Sequence, residues 1–389
     1  MKRREFLTMA AAASASLSMP RVFAAPHTSS GISTQLDAGA TGRAPGKLLI
    51  LIELKGGNDG LNTVIPFADS TYYALREHIA IPRDRVLPLD ERTALHPAMR
   101  ALLPLWRDEQ LAVVQGVGCA QDHASHFRST EIWDTASCAD VYRRDGWLTR
   151  AVGQCAAMQR GVAAASFGSV EPGPFAGSED RVKADGAWAR VDDPDAAPHV
   201  EGIDAGEGEG EGARVSGATR ALQVSAPTLR DSIDAALRTV VDRTQPHTCG
   251  AIRLTLDGFD THSNQPARHA ALLEQLAEGC ATLRAELTRR GRWPDTLIMT
   301  YSEFGRSARE NIHRGTGHGG GAAHFVLGGQ VRGGLYGRAP DLARLNSAGN
   351  LPVEIDFRQL YATALGPFLN LDANAVLQDD VPPLPLLRT

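Results

Sequence analysis

The chain has 389 residues, of which 43% are hydrophobic and 22% charged, and a formal net charge of −5. These values suit a globular chain and exclude collagen-like or low-complexity architecture. With no long basic run beyond the N-terminus, they also argue against nucleic acid as a partner.

In chain order, Lys2-Arg3-Arg4-Glu5-Phe6-Leu7 is a twin-arginine pattern, followed by a weakly apolar, alanine-rich stretch and by Val22-Phe23-Ala24, which resembles a signal-peptidase site. Residues 1–24 are therefore expected to be a twin-arginine signal peptide. The apolar stretch is too short to span a bilayer stably, so the expectation is a periplasmic or secreted protein with no membrane span after cleavage. Residues 25–46, rich in Ser, Thr, Gly and Ala, read as a flexible linker. Residues 47–389 read as a single domain.

The first core strand is the continuous apolar run Lys47–Leu54. It empties into Lys55-Gly-Gly-Asn-Asp-Gly60, where Asp59 either closes a tight turn or offers a carboxylate to a ligand. Short helices are expected over Ser70–His78 and from His96-Pro97 to Trp106-Arg107. Leu111–Val117 is a second strand. Ser125 is a plausible N-cap for the helix that carries Ile132 and Trp133, and Arg160–Phe167 reads as a weaker strand. Residues 171–216, with Gly206-Glu-Gly-Glu-Gly-Glu-Gly212, read as an acidic, glycine-rich surface insertion. Its alternating Gly-Glu pattern lacks the ligand order of a calcium loop.

Helical spacing returns at Leu229, Ile233, Leu237 and Val240. The strand Ala251–Leu256 ends in Asp257-Gly-Phe-Asp-Thr-His262. A long helix with Leu272, Leu273, Leu276 and Leu283 inward follows, closed by Gly291. Next come the strand Thr296–Thr300, the polar Ser302-Glu303, a glycine-rich loop with His318 and His324, and the apolar run Phe325-Val326-Leu327. Strands alternating with helices predict a three-layer α/β sandwich around a mostly parallel sheet. The five cysteines (119, 138, 155, 249 and 280) show no CxxC spacing, so a cysteine zinc site is not expected; an odd count leaves at least one thiol unpaired, and a disulfide between two of Cys119, Cys138 and Cys155 is open.

Chemistry-bearing residues collect at strand ends: Asp59 after the first, Asp260 and His262 after the Ala251 strand, and Glu303, His318 and His324 after the Thr296 strand. Carboxylates and imidazoles gathered in this way suit a divalent metal such as zinc, manganese or iron. Each also has a plainer role: Asp260 and His262 as helix caps, Glu303 as the partner of Arg306, His324 as a core histidine. Ser125, at a helix N-terminus, is the nucleophile candidate, and Arg128 or Arg306 would steady an anion.

The stretches Lys55–Pro66, Ser125–Thr130, Asp260–Gln265, Ser302–Arg306 and His324–Gly334 resemble an uncharacterised bacterial family, domain of unknown function 1501, grouped with the alkaline phosphatase and sulfatase superfamily. The resemblance implies an alkaline-phosphatase-like fold. It likens Asp260, His262 and His318 to one superfamily metal site, and places Ser125 near the superfamily nucleophile. It also marks departures: Phe304 where a second imidazole would stand, Gly317 where an aspartate is usual, and Glu53 or Asp59 in place of the first strand's aspartate. Two functions are thus expected from the sequence. One is an exported metal-dependent hydrolase of phosphate or sulfate esters acting on a small anionic ester. The other is a non-catalytic binding or assembly protein with an exported protein partner.

Overall fold

A computed structural model describes residues 46–120, 125–154, 163–177, 228–241 and 250–388. The expected signal peptide, nearly all of the linker and residues 178–216 of the expected insertion lie outside the described residues, as do Cys155 and Cys249.

Thirteen strands occur among the described residues: β1 (Leu48–Lys55), β2 (Val64–Ile65), β3 (Leu87–Pro88), β4 (Ala94–Leu95), β5 (Leu111–Gly118), β6 (Ala163–Phe167), β7 (Gly250–Asp257), β8 (Thr296–Tyr301), β9 (Arg306–Glu310), β10 (Thr316–His318), β11 (Ala322–Gly328), β12 (Gly334–Tyr336) and β13 (Ile355–Asp356). The main sheet runs β12-β5-β11-β8-β1-β7-β6, with β13 also on β5. β1 pairs in parallel with β7, Leu48 beside Gly250, and with β8, Leu48 beside Thr296. Only β11 runs against its neighbours β5 and β8. The expected mostly parallel α/β sheet is the one observed.

Alternation along β1 builds the two inner layers. Leu48, Ile50, Ile52 and Leu54 face one core with the long helix Gln265–Arg289, the helix Leu229–Ala236 and the segment Pro97–Arg107. Leu49 and Leu51 face the other core with helices His126–Thr135, Trp147–Gln154 and Arg358–Thr363. A strand buried on both faces needs a continuous apolar sequence, which is what β1 has.

Some local expectations change. Pro97–Arg107 is a 3₁₀ turn of Pro97–Leu102 followed by the α-helix Leu103–Arg107. The start of the expected surface insertion is packed: Phe175 is buried in the second core, and Glu171 pairs with Lys55 at 2.8 Å. His318 stands on a strand, since β9 and β10 form a hairpin in which it lies beside Arg306. No helix among the described residues is long and apolar enough to cross a membrane.

Candidate metal centre

The C-terminal ends of β1, β7 and β8 converge, and their loops build the site. After β1 the chain turns sharply: Gly56 has φ +113°, and a Cβ there would stand 2.4 Å from the Asp260 nitrogen. Glycine is needed to let this loop lie against the one after β7. The loop after β7 presents Asp260 and His262. It is tied to the β9–β10 hairpin by the Thr316 amide, which donates to the Thr261 carbonyl at 3.1 Å. That contact brings His318 to Asp260.

Asp260 Oδ1 lies 3.0 Å from His262 Nε2, 3.5 Å from His126 Nε2 and 3.8 Å from His318 Nε2. The two imidazole nitrogens of His262 and His318 are 3.1 Å apart. Arg306, whose side chain is fully buried, donates to Asp260 Oδ1 at 2.5 Å and to the carbonyls of Gly57 at 2.8 Å and of Phe259 and Thr316 at 3.2 Å. It fixes the carboxylate from behind. Burial alone would raise the Asp260 pKa, but the Arg306 hydrogen bond and charge, then His262 and His126, hold it below the ordinary range.

His126 is the residue that sequence reasoning left out of the site. It opens the helix His126–Thr135 and swings its ring over the strand ends. Its Nδ1 lies 2.8 Å from Glu303 Oε1, and that same oxygen accepts the Gly56 amide at 2.9 Å. A carboxylate accepts only, so Nδ1 donates and a neutral ring keeps its Nε2 lone pair toward Asp260. The hydrogen bond to Glu303 raises the His126 pKa. Among the described residues, His126, Asp260 and His318 offer ligand atoms all within 4.8 Å of one another. These donors fit a divalent cation: two imidazoles and one carboxylate with its second oxygen open, beside a Glu303 that orients one imidazole as an outer carboxylate does at metal sites. Phe304 stacks on His318 with ring centroids 4.5 Å apart.

Other expected site residues lie elsewhere. Asp59 caps the short helix Gly60–Thr63 and is sealed in by Arg76 at 2.6 Å and Gln265 at 2.5 Å. Burial alone would raise its pKa, but Arg76 outweighs that and lowers it. This carboxylate is already neutralised and out of reach of a ligand. Glu53 is likewise buried against Arg253 at 2.6 Å. His324 lies on β11 against the Trp133 ring, with centroids 5.3 Å apart, as a core side chain. Glu303 serves His126 and stands outside the group of three. Arg128 donates to the Ala139 and Val141 carbonyls at 2.8 Å and lies over the Tyr142 ring, so it holds a loop. Arg306 is walled in by carbonyls and cannot reach a bound anion. Ser125 stands at the N-cap position, exposed, with no cap bond from its hydroxyl.

The cluster opens on a cleft of about 660 Å³. Along its wall, His126, Thr130 and Asp134 follow one another at four-residue spacing on one helix face. Burial pushes the Asp134 carboxyl up to about 8.

Residues 209–379 match the family model described as Protein of unknown function (DUF1501). No curated protein matches it in sequence. Several solved structures are similar in chain layout. The C-terminal periplasmic domain of EcEptC from Escherichia coli, in complex with Zn, is 9% identical, with 73% of each chain covered and a TM-score of 0.40. The phosphonate monoester hydrolase SpPMH from Silicibacter pomeroyi is 12% identical, with 88% of this chain and 76% of that one covered and a TM-score of 0.43. A protein in the alkaline phosphatase superfamily from Vibrio parahaemolyticus is 10% identical, with 77% and 64% covered and a TM-score of 0.37.

Proposed function

We propose that the protein is a metal-dependent hydrolase of phosphate or sulfate esters, exported by its twin-arginine leader to act on a small anionic ester. One observation carries this reading: the ligand atoms of His126, Asp260 and His318 converge within 4.8 Å at the mouth of a cleft at the strand ends. His262, on the same Asp260 oxygen, is the further donor at hand. A bound zinc, manganese or iron ion would supply Lewis acidity toward an ester oxygen and lower the pKa of a bound water.

The chain's own residues do the rest. Glu303 keeps His126 in the tautomer that points Nε2 at the ligand, and Arg306 keeps Asp260 in place. Ser125, exposed and immediately before His126 in the chain, is the nucleophile in this reading. With Arg128 and Arg306 engaged, the anion's charge falls to the first amides of the helix His126–Thr135 and its positive dipole end.

Elemental analysis should find about one divalent ion per chain in the wild type, lost in His318→Ala, with turnover of 4-nitrophenyl phosphate or sulfate falling at least about 100-fold. A metal-free wild type, or a variant with undiminished turnover, would overturn the reading. The Glu303→Gln variant should keep the stoichiometry but bind the ion about 10–100-fold more weakly, as expected when an outer-sphere carboxylate is lost. Chelator competition measures this, and unchanged affinity would remove Glu303 from that role.

The alternative of a binding or assembly protein draws support from Phe304, whose apolar ring lies on His318 where the resemblance leads one to expect a second imidazole. It predicts no stoichiometric metal and no turnover of generic esters, and tolerance of Ser125→Ala.

A further inference from the structure

A second cavity, of about 230 Å³, lies between β5, the start of β11 and the segment Arg338–Glu354. None of the residues lining it belongs to the metal cluster. The Glu354 amide donates to the Gly116 carbonyl at 2.8 Å, and the Gly321 amide donates to the Leu351 carbonyl at 3.2 Å. These bonds hold the segment over the strands as a wall.

The interior is apolar, with Leu61, Val64 and Leu351 buried along it, and the buried Gln115 adds one amide. The mouth is charged and balanced: Arg338 and Arg344 face it together with Asp341 and Glu354, all four exposed. Among the described residues, none of these four forms an ion pair. Two guanidinium groups left without carboxylates, and two carboxylates left without cations, around an apolar pocket make a complementary surface for a molecule bearing both charges and an apolar body. The volume lies below the roughly 300–1,000 Å³ usual for drug-sized ligands, so the occupant is small.

We propose that this cavity binds a small zwitterion with an apolar side chain, an α-amino acid by chemical class. Its carboxylate meets the forks of Arg338 and Arg344, and its ammonium meets Glu354 and Asp341. Its side chain enters among Leu61, Val64 and Leu351.

The test is titration of the full chain with L-leucine, read by calorimetry and by the concentration-dependent rise in melting temperature that ligand binding to the folded state produces. Saturable binding is expected. N-acetyl-L-leucine, which lacks the ammonium, and L-leucinamide, which lacks the carboxylate, should each bind at least about tenfold more weakly, since each gives up one of the two sets of charge-assisted contacts. Arg344→Met, at an exposed position, and Leu351→Trp, which fills the pocket, should each weaken leucine by a similar factor. No saturable binding of leucine would overturn the proposal. So would either analogue binding as tightly as leucine, or both variants keeping wild-type affinity. The readout needs neither metal nor turnover, so it stands apart from the hydrolase reading.

Discussion

Replacing Arg253 by methionine should destabilise the fold by about 3–5 kcal/mol, the usual result of stripping one partner from a buried ion pair. Arg253 is fully buried in β7 and holds Glu53 at 2.6 Å, the Tyr301 hydroxyl at 3.0 Å and the Glu171 carbonyl at 2.6 Å. Without it, Glu53 stays on the central strand with only the Thr255 hydroxyl, at 2.9 Å, for company. Burial already raises the Glu53 pKa against the pull of Arg253. Loss of the cation would leave the carboxyl to protonate at a cost. The double variant Arg253→Met, Glu53→Gln should recover a large part of the loss, because the uncompensated charge goes with it. Urea unfolding of the two variants decides the matter: a double variant no more stable than the single would show that packing, and not the buried charge, sets the cost.

The second large effect depends on pH. Burial lowers the pKa of His324 to about 4. In the unfolded chain that histidine takes up a proton below about 6.5, while in the fold it stays neutral down to about 4. The unfolded state therefore binds more protons in this window, and the wild type loses up to about 3 kcal/mol as pH falls through it. The His324→Leu variant lacks this term. Relative to wild type, it should gain up to about 3 kcal/mol between pH 7 and pH 4, measured by denaturant titration at both. A difference that does not change with pH would mean that His324 takes up its proton in the folded state as readily as in the unfolded chain. The comparison with a variant matters, because Asp134, raised to about 8 by burial, pushes the wild-type pH dependence the other way.

The sheet was readable in the sequence because its strands are doubly buried. Leu48–Leu54 and Thr296–Thr300 are apolar runs with no competing helical period. The pair Asp260 and His262 stood out as candidates because a polar Asp-x-His directly after such a run has little to do in a core. His126 did not stand out as a candidate ligand, because what fixes its ring is Glu303, 177 residues away. The misplaced residues share one physical cause. Asp59 and Arg128 carry charges whose partners, Arg76 and the carbonyls of Ala139 and Val141, become visible only when the chain is folded. Sequence shows that a charge exists but not whether it is already satisfied. His324 errs in the opposite sense, an imidazole enclosed by Trp133 and used for its shape.

The pairing of β1 also bears on how the molecule comes into being. Its two neighbours, β7 and β8, begin about 200 and 250 residues further along the chain. The central strand can find neither until most of the polypeptide exists, and closing such long loops makes folding slow. During synthesis, an emerging N-terminal half carries an unpaired, largely apolar strand, a hazard for aggregation. The candidate ligands His126, Asp260 and His318 are spread over the same span. A chain truncated after β7 would thus lose Asp260 and His318 as well as one of β1's two pairings, and on the proposed reading competence to hold an ion should appear in one step with completion of the sheet.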